Sequence, residues 1–229
     1  MASSSWRAHR RFGAAREAGS SASSPTRQNL IHGRVSLVEE GTSSLPEAVL
    51  SVARIFAVAA LVIAAGFAFL LWRGEEPGGI DDVYVLAFGP ADLGGVDFAR
   101  LERRGSPNEA LACNPEICPS AVIDVETPVY PVAGGRLREI VRDVIMARPR
   151  AEPVYSARWE EADRFVERSA LMRYPDTINA QVFGAGQGRS MLALHSRSQI
   201  GYSDLGVNRA RIDAILAEVA ERVAREPQP

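Results

Sequence analysis

The chain has 229 residues, 46% hydrophobic and 24% charged, with 26 basic and 28 acidic side chains for a formal net charge of −2. That composition excludes a wholly disordered or collagen-like chain. A mean hydropathy of −0.06 excludes a polytopic membrane protein, and a pI near 6.0 argues against nucleic acid as a partner, which would select a strongly basic surface. Every basic residue is arginine, so any anion held here is held by guanidinium groups, which stay charged and grip carboxylate or phosphate through two hydrogen bonds.

Residues 1–46 are rich in Ser, Ala, Gly and Arg and show no sustained apolar period. Such a stretch cannot bury enough surface to offset the entropy of ordering, and it reads as a disordered tail. From Ile55 to Trp72 there follow 18 residues without a charge, bounded by Arg54 and Arg73. A spanning helix needs about 20 apolar residues, and the Ala48–Ala53 stretch extends the run upstream, giving an expected transmembrane helix over 49–73. Trp72 falls where an amphipathic ring is favoured, at the interface. A cleaved signal peptide does not fit so long a run after so long a leader, and no cysteine follows closely enough for a lipid anchor. Arg7, Arg10, Arg11, Arg16, Arg27, Arg34 and Arg54 precede the helix, whereas Arg73 stands alone in the first twenty residues after it. The positive-inside rule therefore predicts a single-pass protein of the inner (plasma) membrane, N-terminus cytoplasmic and C-terminal domain periplasmic.

Residues 74–91 read as a Gly/Pro-containing linker ending in a short apolar strand, Val83–Phe88. Asp97–Arg103 suggests a helical turn, and 104–120 a loop holding both cysteines. Pro128–Val132 is an expected strand. Leu137, Ile140, Val141, Val144 and Ile145 recur at helical spacing up to Pro149. Strands are expected at Glu152–Arg158, Phe165–Arg173 and Thr177–Phe183, where Ile178, Ala180 and Val182 alternate with polar residues. A glycine-rich turn over Gly184–Gly188 leads into a returning strand, Ser190–Arg197. That Gly-x-Gly-x-Gly is no nucleotide loop, because a strand follows it. Ile212, Ile215, Leu216, Val219 and Val223 then mark a second amphipathic helix. The fold class is α+β: over residues 92–226, a small antiparallel sheet covered by two helices, preceded by the transmembrane helix and the tail.

The stretch Ala193–Ile212 resembles the bacterial domain-of-unknown-function family 1499 (DUF1499). Its signature runs Arg-Ser-x-Ser, Gly, Ser-Asp-x-Gly, then Asn and Arg-Ile opening a helix. Ser196, Ser198, Gly201, Ser203, Asp204, Gly206, Asn208, Arg211 and Ile212 match it. The similarity extends upstream through the cysteine segment and the Leu137 helix, covering roughly Asp92–Leu216. His195 and Gln199 stand where many members have arginine. The resemblance implies an envelope-associated domain, often membrane-anchored, and brings no established activity.

Cys113 and Cys118 lie close together on the side of the membrane where thiols are oxidised, which points to a disulfide; free structural thiols are the competing reading. Zinc would want four ligands, and His195 alone accompanies the two thiols in this region, so neither metal nor other cofactor is expected. His195 reads as a partly exposed strand residue, since Ser196 points to the opposite face and no Gly-x-Ser-x-Gly elbow is present. The densest segment is Gly201–Arg211. Structurally, Asp204 or Asn208 caps the last helix, and Asp204 pairs with Arg197 or Arg209. Functionally, the helix start with Arg197, Ser198, Ser203, Asp204, Asn208, Arg209 and Arg211 is a candidate site for an anionic lipid or an envelope protein's carboxylate. The expected function is a non-enzymatic binding or scaffolding domain at the bilayer; the alternative is an anchored hydrolase using the polar residues from Ser198 to Asn208.

Overall fold

The computed structural model describes residues 46–103 and 105–227; the tail expected over 1–46 lies, apart from Pro46, outside them. The first element, α1 (Glu47–Arg73), is 27 residues, its most apolar 18-residue window has a mean hydropathy of 2.6, and none of its residues is buried against the rest of the chain. At about 1.5 Å per residue it is about 40 Å long, more than the roughly 30 Å hydrocarbon core of a bilayer. Among the described residues it is the one helix long and apolar enough to cross a membrane.

The apolar run expected as a strand at Val83–Phe88 is instead part of a helix, α2 (Ile80–Phe88). Local chemistry explains the difference. Asp81 and Asp82 occupy the first turn, where carboxylates complement the helix dipole, and Asp82 accepts the Gly78 N–H at 2.6 Å. Gly79 before it has no room for a side chain, since a Cβ would meet the Gly74 carbonyl oxygen at 2.2 Å. Gly89 ends the helix at φ 87°, a left-handed backbone that suits glycine.

Among the described residues seven strands make one sheet: β1 (Glu109–Cys113), β2 (Val125–Glu126), β3 (Val129–Tyr130), β4 (Ala151–Ala157), β5 (Ala162–Arg168), β6 (Pro175–Gly184) and β7 (Ser190–Ser198). The order is β2-β1-β7-β6-β5-β4, with β3 also pairing β7. Every pairing is antiparallel except β1 with β2. The sheet is thus larger than expected and mixed, because the cysteine segment read as loop supplies β1 beside β7. The expected helices are α3 (Gly134–Met146) and α4 (Val207–Ala224). Both lie on one face, where Leu137, Ile140, Val144, Ile212, Ile215 and Val219 pack on Phe165, Ile178, Leu192 and Leu194. Burying one such side chain is worth about 1.5–3 kcal/mol, so this layer holds the domain together.

The opposite face is covered without a long helix. Phe98 and Leu101, around a single 3-10 turn (Phe98–Arg100), pack with Leu111, Met191 and Ala193. Cys113 and Cys118 close this cluster, both buried and joined as a disulfide at 2.06 Å. Salt bridges fasten the rest of the linker to the sheet. Asp81 receives a bidentate pair from Arg173 at 2.7 and 2.9 Å and a third contact from Arg168 at 2.8 Å. Asp92 receives a second bidentate pair from Arg164 at 2.6 and 2.8 Å. Asp81→Asn should therefore free α2. In hydrogen exchange on the full chain, amides 80–88 should lose protection while β5–β7 keep theirs; unchanged protection of α2 would show that the clamp is dispensable.

Candidate functional site

Strand alternation places Ser196 and Ser198 on the same face as Leu192 and Leu194, directly under the first turn of α4. Asn208 and Arg211, three residues apart on that turn, reach down to meet them. The Ser196 hydroxyl donates to Asn208 Oδ1 at 2.6 Å, and Asn208 Nδ2 donates to Ser198 Oγ at 2.8 Å and to the Asn108 carbonyl at 2.9 Å. Arg211 donates to Asn208 Oδ1 at 2.5 Å, Ser196 Oγ at 3.0 Å and Asp176 Oδ2 at 2.6 Å, and its Nε lies 3.3 Å from Glu167 Oε2. All six side chains are buried. Burial alone would raise the Glu167 carboxyl, but the hydrogen bond from Arg148 and the charge of Arg211 hold it below the usual carboxylate range. Asp92, where Arg164 plays the same part, is held low too.

Asp204 does the capping that its position suggests, from two residues further back than a usual cap. Gly206 occupies the cap position at φ 83°, while the Asp204 carboxylate accepts the N–H groups of Gly206 at 2.9 Å and Asn208 at 2.7 Å. Ser203 Oγ accepts the Leu205 N–H at 3.3 Å. Arg209 does not join this group. It is half exposed, paired to Asp213 at 3.0 Å, and donates to the Asp124 carbonyl at 2.9 Å. Arg197 falls on the other face of the sheet, 3.5 Å from the Leu93 carbonyl. So the segment brings Ser198, Asp204, Asn208 and Arg211 together, and leaves Arg197 and Arg209 apart from them.

His195 differs from its expected exposed setting. The linker covers its face of the sheet, leaving it 1% exposed, and Nε2 sits 3.0 Å from Glu109 Oε2 on the neighbouring strand. Arg103 completes the group, 3.5 Å from Glu109 and 2.8 Å from Asp124. Glu109 had no signal in a stretch that reads as loop, nor did Arg103 at the end of the expected helical turn. Asp176 did have one: it is in phase with Ile178, Ala180 and Val182, so alternation turns it into the core, where a carboxylate needs a cation.

Beside the buried network, at the junction of β7 and α4, lies a groove of about 300 Å³. Its walls include Tyr174, Ile200, Leu205 and Val207, together with Asp176, Ser198 and Asp204. The acidic members are already saturated by Arg211 and by backbone N–H groups, so what the groove offers a ligand is mainly apolar surface.

Residues 114–219 match the model of a family described as protein of unknown function (DUF1499). The chain carries a DUF1499 domain over these residues. No curated protein matches the chain. The matched part of the DUF1499 domain contains the buried network and the whole groove. Asp81 and Asp92 lie outside it, so the clamps on the linker join arginines of the DUF1499 domain to carboxylates of the preceding segment.

Substitutions should rank by burial. Arg211→Met strands the buried Asp176 carboxylate, while Glu167 keeps Arg148, and should cost about 3–5 kcal/mol, Asp204→Ala about 0.5–2 kcal/mol as a lost cap, and Arg209→Ala less than about 1 kcal/mol as an exposed pair. Urea unfolding in detergent checks the order; an Arg209 variant as damaged as the Arg211 variant would refute it. The lowered Glu167 contributes stability that is present above the unfolded value of about 4.3 and is lost as pH falls through its lower folded value. Unfolding midpoints should therefore drop as pH falls below about 4, and drop less in Glu167→Gln; identical acid profiles would contradict this.

Proposed function

We propose that this protein is a single-pass plasma-membrane protein whose DUF1499 domain stands outside the cytoplasm and acts as a non-catalytic binding module. On this reading the groove between β7 and α4 takes the acyl chain of a membrane lipid. The location is supported by the arginine excess before α1 and by the buried Cys113–Cys118 disulfide, which suits an oxidising compartment.

The observation that carries the binding reading is the apolar groove at the end of the sheet where the spanning helix attaches. The arginine-rich segment supports it in a different way than its sequence suggests. Arg211 is committed to Asp176 and Glu167, and Arg209 to Asp213, so apolar contact rather than anion capture would supply affinity. The hydrolase alternative draws no support from this geometry: Ser198 Oγ accepts from Asn208, Ser203 Oγ from a backbone N–H, and His195 faces the other side of the sheet.

A photoreactive benzoylphenylalanine placed at Val207, and a second at Trp159 far from the groove, test this in cells. Mass spectrometry of the purified full chain should find lipid-mass adducts at position 207 and none at 159. Polypeptide adducts alone at 207 would replace the lipid with a protein partner, and no adduct at all would remove the groove as a binding site.

A further inference from the structure

We infer that the end of the domain nearest α1 rests in the bilayer interface, through an apolar rim of Leu86, Leu171, Tyr202 and Leu205. These side chains are 89%, 78%, 76% and 94% exposed. They come from three separate segments: α2, the β5–β6 turn and the β7–α4 loop. Large apolar side chains gathered at one end of a domain mark a contact surface, whereas scattered ones do not.

The three segments are pinned to one another and to the foot of α1. A Cβ on Gly74, the residue after α1, would lie 3.2 Å from Arg173 Nε, and Arg173 grips Asp81 of α2. The Tyr84 ring lies 5.5 Å from that of Tyr174, and its hydroxyl donates to the Met172 carbonyl at 2.8 Å. Gln199, leading into the third segment, donates from Nε2 to the carbonyls of Gly89 at 3.0 Å and Pro90 at 2.6 Å. Leu205 is held at φ 55°, a backbone that Gly or Asn adopts more readily. A nearly bare leucine in that conformation adds nothing to the packing of the domain, which is what a residue kept for an outside contact looks like.

The occupant follows from continuity. Where α1 crosses a bilayer, it leaves the membrane at Arg73, and the clamped linker allows the rim no long tether. Trp72 at the helix end sets the level of the interface. The opposite end of the sheet, at the β4–β5 turn, carries Trp159 among Arg158, Glu160 and Glu161 and, among the described residues, has no comparable apolar set. The inference rests on α1 crossing the bilayer and is independent of what fills the groove.

Spin labels on the full chain in phospholipid nanodiscs test it, attached singly through Leu86→Cys, Leu171→Cys and Leu205→Cys. Ile63→Cys in α1 and Trp159→Cys serve as the lipid and water references. The rim labels should show a ratio of oxygen to nickel-chelate accessibility several-fold above that of the Trp159 site. Rim labels matching Trp159 while Ile63 reports lipid would overturn the rim alone. Low accessibility to both reagents would overturn it in favour of a protein contact. An aqueous Ile63 would overturn the anchoring and the rim together.

Discussion

Asp81 lies just past the long apolar helix α1, yet it is held by two arginines from the far side of the sequence, Arg168 at the end of β5 and Arg173 in the turn that follows. Because guanidinium presents a fixed planar fork, the paired contacts define a direction as well as a distance. The segment after α1 is thereby docked on the end of the sheet before it reaches Asp92, where Arg164 repeats the arrangement. With both clamps in place, the course of the linker over the sheet becomes a property of the fold. A chain whose only cations are arginines has this geometry available at every such contact.

The segment that looks most functional in the sequence is consumed in building the domain. Arg211, Asn208, Ser196 and Ser198 satisfy one another beneath α4, and Asp176 and Glu167 neutralise the guanidinium there. Buried polar groups tolerate this only when each finds a partner. Asp204 holds the start of α4, and the leucine beside it is pushed outward. The outward product of all this polar chemistry is an apolar groove and an apolar rim; on the proposed reading the segment serves the membrane by shaping that surface.

Periodicity made much of this architecture legible. The uncharged run from Ile55, the five-residue stripe from Leu137, the alternation of β6 and β7 and the stripe from Ile212 each became the element they imply. The misreadings have physical causes. A six-residue apolar run such as Val83–Phe88 satisfies strand and helix patterns alike, and the deciding signals were its flanking glycines and leading aspartates. The strand Glu109–Cys113 is short, sits between turns, and gains its identity only from β7 beside it. Arg211 was expected to help receive an external anion at the helix start; its burial depends on Glu167 and Asp176, distant in sequence, which no local pattern connects to it. The cap at Asp204 was visible because capping is local.

The account turns on the apolar end of the domain meeting the bilayer directly. Neutron reflectometry on the full chain in a supported bilayer, with contrast-matched lipid, reads this as the scattering profile between headgroups and protein. The account predicts protein density beginning within the headgroup layer, with no solvent layer between. A hydrated gap separating the domain from the headgroups would contradict it.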